Sequence, residues 1–210
     1  DKNQLKLDEA ILNIIGLSEN LLHEKLADIL KTYFRRVKFS FLPRLDGITL
    51  RLTASSNNKN NVKEVKKIII DKIGRYYLGE GEIKLEEVVL KLLISKKLTL
   101  SIAESCTGGN ISQLITNFPG SSKVFKGSII AYSNQVKREN LNISNSLLEK
   151  YGAVSAEVAE KMCKNIAEKM NTDIAISVTG ISGPDGGTKL KPVGLAYISV
   201  KYLNDIYTKK

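Results

Sequence analysis

The stretch that most constrains the fold is a polar turn between a strand-like run and a helix-like run. Apolar and polar residues alternate over 98–102, which is typical of a strand, and the turn at 103–109 follows directly. Beyond the turn, apolar residues recur at helical spacing: Ile111, Leu114, Ile115 and Phe118. Free backbone N–H groups at a helix start attract anions, and glycine lets a ligand approach closely. The turn is therefore either a ligand site or an ordinary connection with polar caps.

Two side chains in this turn, Ser105 and Cys106, are candidate nucleophiles. Cysteine is intrinsically the stronger nucleophile, and a helix N-terminus lowers the pKa of a thiol. Because side chains alternate along a strand, the two are expected to point to opposite sides. Alternation alone does not identify which of them faces a cleft, and Cys106 also fits the role of a small buried side chain.

A base for this nucleophile has to come from elsewhere in the chain. His23 is the only histidine, and it serves Ser105 only if it folds back to that turn. A lysine whose pKa is lowered by burial or by a positive neighbour performs the same task. Lys137 is the best-placed lysine, and Tyr132 is a candidate to relay a proton or hold the amine. The alternatives are a surface lysine and a strand-end tyrosine with a satisfied hydroxyl.

Composition indicates a globular, cytoplasmic protein. The 210 residues are 42% hydrophobic, and no apolar run approaches the roughly 18 residues needed to span a bilayer. No export signal is visible, and two cysteines are too few for a disulfide framework. We expect no membrane association, no metal site and no cofactor.

The order of the sequence patterns predicts two domains. Residues 18–78 fit an α-β-β-α order, which indicates a small α+β domain, and residues 1–17 fit a tail, an edge strand or a linker. Leu78–Gly81 fits a domain boundary or a linker. The second half alternates helix and strand up to a last strand at 193–201, which predicts an α/β sandwich with a largely parallel or mixed sheet.

Three polar loops each follow a predicted strand, at 103–109, 132–137 and 179–187. Ligands of open α/β sheets bind in the crevice at the carboxyl ends of the strands. The three loops are therefore expected to converge on one site, although architecture alone also allows three polar loops at one edge.

The net charge of +10 is unevenly distributed. Residues 31–75 contain twelve Lys and Arg but only three acidic residues. Such a stretch either binds nucleic acid or forms a solvated face. We favour the solvated face because no aromatic stacking motif is interleaved, so nucleic acid is not expected as a partner.

Several motifs, in this order along the chain, resemble the C-terminal domain of the CinA family. They are Ala103–Gly109, Ala131–Lys137, Tyr151–Ser155, Val178–Gly187 and Lys191–Gly194. Residues 1–80 resemble the KH-like domain that precedes it in the family. The resemblance implies a small α+β KH-like domain at 1–80. It also implies a three-layer α/β sandwich with a mixed sheet, of amidohydrolase type, at 81–210.

The family resemblance implies an enzyme of pyridine-nucleotide salvage. It would hydrolyse the amide of nicotinamide mononucleotide (NMN) to give nicotinate mononucleotide and ammonia. The resemblance places the nucleophile on Ser105 and the base on Lys137, with Tyr132 as a helper, and it favours a homodimer. The implied substrate contacts are Glu104, Thr107, Gly108, Gly109, Asn134, Thr179, Gly180, Gly183 and Gly186.

The family pattern extends beyond this sequence at both ends. We expect no N-terminal molybdopterin-binding-like domain, and we expect the C-terminal domain to be truncated before a further strand, a Gly-Asp-Arg-like motif and a closing helix. Two alternative functions remain. One is a non-enzymatic adaptor, either nucleic-acid-binding or competence-associated, that uses the basic stretch, and the other is a sensor that binds NMN without turnover.

Overall fold

The computed structural model describes residues 7–55 and 59–210, which form two compact units. The first unit ends at Val88, and the second runs from Val89 to Lys210. The predicted domain boundary after residue 80 stays a prediction. Within the described residues, no helix is long and apolar enough to cross a membrane.

The first unit is a four-stranded antiparallel sheet with two helices on one face. Its elements are β1 (Leu7–Ile14), α1 (Glu19–Tyr33), β2 (Lys38–Arg44), β3 (Gly47–Ser55), α2 (Lys59–Ile73) and β4 (Tyr77–Glu80). The strand order is β2-β3-β1-β4. Apolar residues at every second position of β1 and β3 pack against the apolar stripes of both helices, which forms the core of the unit.

Strand β1 corrects the expectation that residues 1–17 form a tail, an edge strand or a linker. It lies inside the sheet, where it pairs with β3 over its whole length and with β4 on its other side. Ala10, Leu12 and Ile14 alternate into the core. Because Ile11 on the opposite face is apolar as well, the alternation is hard to see in the sequence. Residues 1–6 lie outside the described residues.

Strand β4 corrects the expectation that Leu78–Gly81 is a linker. The buried Asn13 carboxamide donates to the carbonyl oxygens of Gly81 at 2.7 Å and Gly79 at 3.4 Å. The same carboxamide accepts a hydrogen bond from the Thr49 hydroxyl at 3.2 Å. Glycine is typical of a linker, but here its backbone groups complete the sheet.

The basic stretch 31–75 lies in this unit, and several of its cations pair with carboxylates. The pairs are Arg44–Asp46 at 2.9 Å, Arg51–Glu9 at 3.1 Å, Lys66–Glu80 at 2.9 Å, and Lys72–Asp28. These pairs are half-exposed and support the interpretation of the stretch as a solvated face.

The second unit is a three-layer α/β sandwich, which confirms the predicted fold class. Its helices are α3 (Leu85–Lys96), α4 (Asn110–Thr116), α5 (Asn134–Leu141), α6 (Asn145–Tyr151) and α7 (Ala156–Met170). Helix α3 starts in the last residues of the first unit. Its strands are β5 (Leu100–Glu104), β6 (Phe125–Ile130), β7 (Ile174–Gly180), β8 (Ala196–Tyr202) and β9 (Asp205–Lys209). The sheet is mixed, in the order β6-β5-β7-β8-β9, with β6, β5 and β7 parallel. Helices α3 and α4 cover one face, and α5 to α7 cover the other.

Strand β9 corrects the prediction that the strand at 193–201 is the last one. It pairs antiparallel with β8, from Asp205 opposite Tyr202 to Lys209 opposite Ile198. Tight hairpin turns favour glycine or asparagine at positive φ. Here a leucine, Leu203, adopts a φ of 53°, so only the second of the two loop residues, Asn204, is typical of such a turn.

Replacing Asn13 with alanine is expected to loosen β4 from β1. The variant loses the side-chain donor for two carbonyl groups, which costs about 1–3 kcal/mol. Hydrogen–deuterium exchange in β1 and β4 is therefore expected to be faster than in the wild type. The control Asn20→Ala, on an exposed position of α1, is expected to leave exchange in both strands unchanged. Unaltered protection of β4 in Asn13→Ala would show that the carboxamide does not hold this strand.

Candidate active site

The candidate site begins at the carboxyl end of β5. Side chains alternate along this strand, so that Ile102 faces the α3–α4 layer and Ala103 faces the layer of α5 to α7. The next two residues continue the alternation: Glu104 bonds to α4, and Ser105 bonds to a residue of α5. The pleat of one short strand thus gives the carboxylate and the hydroxyl different partners.

The Glu104 carboxylate occupies the N-terminal turn of α4 and is completely buried. Oε2 accepts the N–H groups of Gly109 and Ile111, both at 3.1 Å. Oε1 accepts the N–H group of Ser112 at 2.9 Å and its hydroxyl at 2.6 Å. The prediction of an anion site rested on free N–H groups at this helix start. In the structure the Glu104 carboxylate already accepts their hydrogen bonds.

The charge of Glu104 follows from these bonds. Burial raises the pKa of this carboxyl, but the Ser112 and Thr107 hydroxyls and the N–H groups of Ser112 and Ile111 lower it by more. The net pKa lies below the usual value, so the group is ionised at neutral pH. It acts as a fixed negative charge at the helix end.

Helix α5 presents the candidate base, which corrects the prediction of a polar loop at 132–137. Ser133 caps the helix by accepting the N–H group of Val136 at 3.2 Å. Lys137 and Leu141 lie one turn apart on the buried face. Only 1% of Lys137 is exposed, so its amine lies inside the protein.

Three oxygen atoms surround the Lys137 amine. Nζ lies 3.0 Å from Ser105 Oγ, 2.7 Å from the Ala131 carbonyl oxygen and 3.3 Å from the Tyr132 carbonyl oxygen. Carbonyl oxygens only accept hydrogen bonds, so two N–H bonds are directed to them. In the neutral amine the remaining lone pair is free to accept the Ser105 O–H. This is the arrangement that a general base needs.

Burial also favours the neutral form of this amine. Removal from water lowers the pKa of Lys137, and the nearby Cys106 thiol opposes that shift to a smaller extent. The three oxygen atoms that contact Nζ carry no formal charge, so no negative partner among them stabilises the protonated form.

Main-chain bonds fix the distance between the serine and the lysine. The Glu104 carbonyl oxygen accepts the N–H group of Ala131 at 2.7 Å. The Ala131 carbonyl holds Nζ of Lys137, Nζ contacts Ser105 Oγ, and Ser105 is joined to Glu104 by a peptide bond. The chain of contacts closes on itself, so the ends of β5 and β6 together set the Ser105–Lys137 separation.

The glycine-rich segment after β7 lies against the same turn. The Ser182 hydroxyl donates to the Cys106 carbonyl oxygen at 3.4 Å. A Cβ atom on Gly180 would lie 2.9 Å from the Leu195 carbonyl oxygen and 3.0 Å from Cys106 Sγ. The thiol therefore packs against the end of β7, whereas the Ser105 hydroxyl contacts the lysine. This geometry favours Ser105 over Cys106 as the nucleophile.

The segment before α7 is joined to the same loops. The Thr179 hydroxyl donates to the Ala153 carbonyl oxygen at 2.8 Å. Lys191 Nζ donates to the carbonyl oxygens of Val154 at 2.8 Å and Tyr151 at 2.5 Å. These bonds connect the glycine-rich loop after β7 to the polypeptide just ahead of α7.

The other predicted site residues differ in their surroundings. Tyr132 is 74% exposed, and it contacts Lys137 Nζ through its main-chain carbonyl oxygen. The hydroxyl of Thr179 is bonded to the main chain. Thr107 and Gly109 are half-buried, whereas Gly108, Asn134, Gly183 and Gly186 are exposed. Their roles in catalysis or substrate binding stay predictions.

Two other reactive groups have surroundings of their own. His23 is half-exposed in the first unit and stacks on Phe41, with ring centroids 3.8 Å apart. Cys163 is buried, and burial raises the pKa of its thiol to about 11. Among the residues that the structure describes, no group of three or more His, Cys, Asp or Glu side chains is placed to hold a metal ion.

Known families match both parts of the chain. The model of the CinA C-terminal domain matches residues 82–210, and that of the damage-inducible protein CinA KH domain matches residues 9–79. The chain belongs to the CinA family. The family prediction drawn from the sequence motifs is therefore confirmed.

Individual CinA relatives support this assignment. A CinA-like protein of Dictyoglomus thermophilum is 44% identical over 204 residues, which cover 95% of this chain and 49% of the relative. A CinA-like protein of Dictyoglomus turgidum is 46% identical over 194 residues, covering 90% and 47%. The chain thus spans about half the length of these curated relatives.

A solved structure extends the similarity to the fold. The crystal structure of the competence/damage inducible protein CihA from Agrobacterium tumefaciens matches with a TM-score of 0.59 and 34% identity. The match covers 60% of this chain and 76% of that chain. It supports the fold of a CinA-superfamily protein and leaves the reaction to be inferred from the site.

Three contributions to this site were missed from the sequence. The carbonyl groups of Ala131 and Tyr132 leave no signal in the sequence, because every residue supplies a main-chain carbonyl. Ser112 fits an ordinary helical serine. Lys191 was noted only as part of a motif, without a role.

The lowered pKa of Lys137 leads us to expect a specific pH dependence of stability. Because its folded-state pKa is lowered, the unfolded chain binds the extra proton between that pKa and about 10.4. The free energy of unfolding is therefore expected to rise with pH in this window, relative to Lys137→Met. Urea denaturation of both proteins at stepped pH measures the difference. The control Lys161→Met, on the exposed face of α7, is expected to follow the wild type. A difference between wild type and Lys137→Met that does not vary with pH would contradict a lowered pKa.

Proposed function

We propose that this chain carries the active site of an amidohydrolase that converts NMN to nicotinate mononucleotide and ammonia. The observation that carries the proposal is the 3.0 Å contact between Lys137 Nζ and Ser105 Oγ, made by a buried lysine. A serine whose hydroxyl faces a lysine of lowered pKa is equipped to attack an amide or an ester. The resemblance of the motifs to the CinA C-terminal domain supports NMN as the substrate.

The first half of the proposed reaction forms an ester with the serine. As Ser105 Oγ attacks the carboxamide carbon of NMN, Lys137 Nζ accepts the hydroxyl proton. The tetrahedral intermediate then collapses with cleavage of the C–N bond. Lys137 returns the proton to the departing nitrogen, which leaves as ammonia. The nicotinoyl group of the mononucleotide remains attached to Oγ.

The second half releases the acid. Lys137, neutral again, accepts a proton from a water molecule that attacks the ester carbon. When the C–O bond to Ser105 breaks, the lysine returns the proton to Oγ. The sum is consumption of one water and one amide and release of one carboxylic acid and one ammonia.

The nucleotide is proposed to lie along the exposed glycine-rich segment after β7. Ser182 ties this segment to the nucleophile turn. Gly183 and Gly186 adopt φ angles of 78° and 86°, which glycine reaches without strain and which bring the main chain close to a ligand. The first turn of α4 is not part of this proposed surface, because Glu104 already binds it.

The proposed reaction is tested by ammonia release from NMN. Ser105→Ala and Lys137→Met are each expected to lower the rate by roughly 10³-fold or more, since nucleophile and base act as a unit. Cys106→Ala is the matched control and is expected to retain most of the rate. Full activity in Ser105→Ala would exclude this serine as the nucleophile, and no ammonia from the wild type would exclude NMN as its substrate.

The pH–rate profile tests the role of the lysine. Only the neutral amine accepts a proton, so kcat/KM is expected to rise with pH and to level off above the pKa of Lys137. Because burial lowers that pKa, the midpoint is expected below about 10.4, the usual value for lysine. A rate that falls steadily between about pH 6 and pH 10 would contradict a lysine base.

A further inference from the structure

The Glu104 carboxylate lies next in sequence to the proposed nucleophile and yet has no exposed surface. We propose that Glu104 is a positioning residue that holds Ser105 in line with Lys137, and not the substrate contact that the family resemblance implies. This inference rests on the proposed function, and it assigns to Glu104 an effect on the rate of the chemical step.

Both the side chain and the main chain of Glu104 are held by hydrogen bonds. The carboxylate accepts four hydrogen bonds from the first turn of α4 and the residue before it. The main-chain carbonyl of Glu104 accepts the N–H group of Ala131 at 2.7 Å, and Ala131 in turn holds the lysine. Ser105 follows directly, so its backbone has little freedom to move away from Nζ.

The neighbouring helices are capped differently from α4. Helices α5, α6 and α7 begin with the serine caps Ser133, Ser144 and Ser155, whose hydroxyls accept an N–H group of the helix itself. Helix α4 has Gly109 at this position, which supplies no side-chain bond. A serine there would stabilise the helix end alone. Glu104 reaches it from β5 and thereby joins the helix to the strand that carries the nucleophile.

Substrate has no access to the carboxylate. Its two oxygens accept hydrogen bonds from α4 and Gly109, and the residue is completely buried. Its charge is also matched by the partial positive charge of the helix N-terminus. Loss of this charge is therefore expected to alter the alignment of Ser105 while leaving contacts with NMN in place.

The test is the effect of Glu104→Gln on the two kinetic constants for NMN. The amide keeps the size of the side chain but loses the charge and one acceptor. Misplacement of Ser105 is expected to lower kcat about 10- to 100-fold with KM nearly unchanged. The matched control is Glu157→Gln, in the exposed first turn of α7, which is expected to leave both constants unchanged.

Two results would overturn the proposal. A raised KM with kcat preserved would make Glu104 a substrate contact, and a lowered melting temperature with both constants preserved would make it a stabilising cap only. If Glu104→Gln does not fold, Ser112→Ala removes one of the four bonds and is expected to lower kcat in the same direction by a smaller factor. Unchanged kcat in a folded Ser112→Ala would then count against the proposal.

A second readout separates this inference from the proposed reaction. An aryl sulfonyl fluoride sulfonylates activated serines, with release of fluoride, and therefore reports the alignment of Ser105 without NMN. Glu104→Gln is expected to slow labelling of Ser105 by about the same factor as kcat, and equal labelling rates would overturn the inference. If the wild type is labelled quickly but releases no ammonia from NMN, the proposed substrate fails, and the labelling comparison still decides the role of Glu104.

Discussion

The burial of one lysine amine is the constraint on which the second unit depends. An amine removed from water has to find its hydrogen-bond partners inside the protein, and Lys137 finds them at the ends of two parallel strands. This requires β5 and β6 to be neighbours in register and α5 to turn its buried face toward them. The mixed sheet, the cap at Ser133 and the turn after Glu104 all contribute to that arrangement. The same burial lowers the pKa of the amine and so favours the neutral form that base catalysis uses.

Much of the fold was predictable from strong local patterns. Asp46 and Gly47 are typical turn residues, and the hairpin of β2 and β3 is built around them. Ser18 and Ser155 are typical N-caps, and helices α1 and α7 begin directly after them. The strands β4 and β9 were missed, and β1 was expected as an edge strand at most, for physical reasons. Strands β1 and β4 pair with partners distant in sequence, and the turn before β9 places a leucine at positive φ, so local patterns carry little information about them.

The site was predictable at the level of residue types and less so at the level of contacts. No histidine lies near Ser105 in the sequence, so a lysine was the candidate base. The structure brings Ser105 and Lys137 together. The short helix α5 was not expected, because residues 132–137 fit a polar loop after a strand. The family resemblance implied Glu104 as a substrate contact. In the structure its carboxylate accepts three backbone N–H groups, which look the same in every sequence, and the Ser112 hydroxyl.

The partners of Lys137 at positions 131 and 132 are main-chain carbonyls, and this has a consequence for how the protein tolerates change. Substitutions at the exposed Tyr132 alter the side chain but keep the acceptor, so they leave this contact of the amine in place, whereas a larger side chain at the completely buried Ala131 disturbs the packing around it. Variation at Tyr132 would then reflect only what its exposed ring does. A mutational scan judged by loss of function would pass over the atoms that anchor the base, and only changes that shift the backbone itself would reveal them.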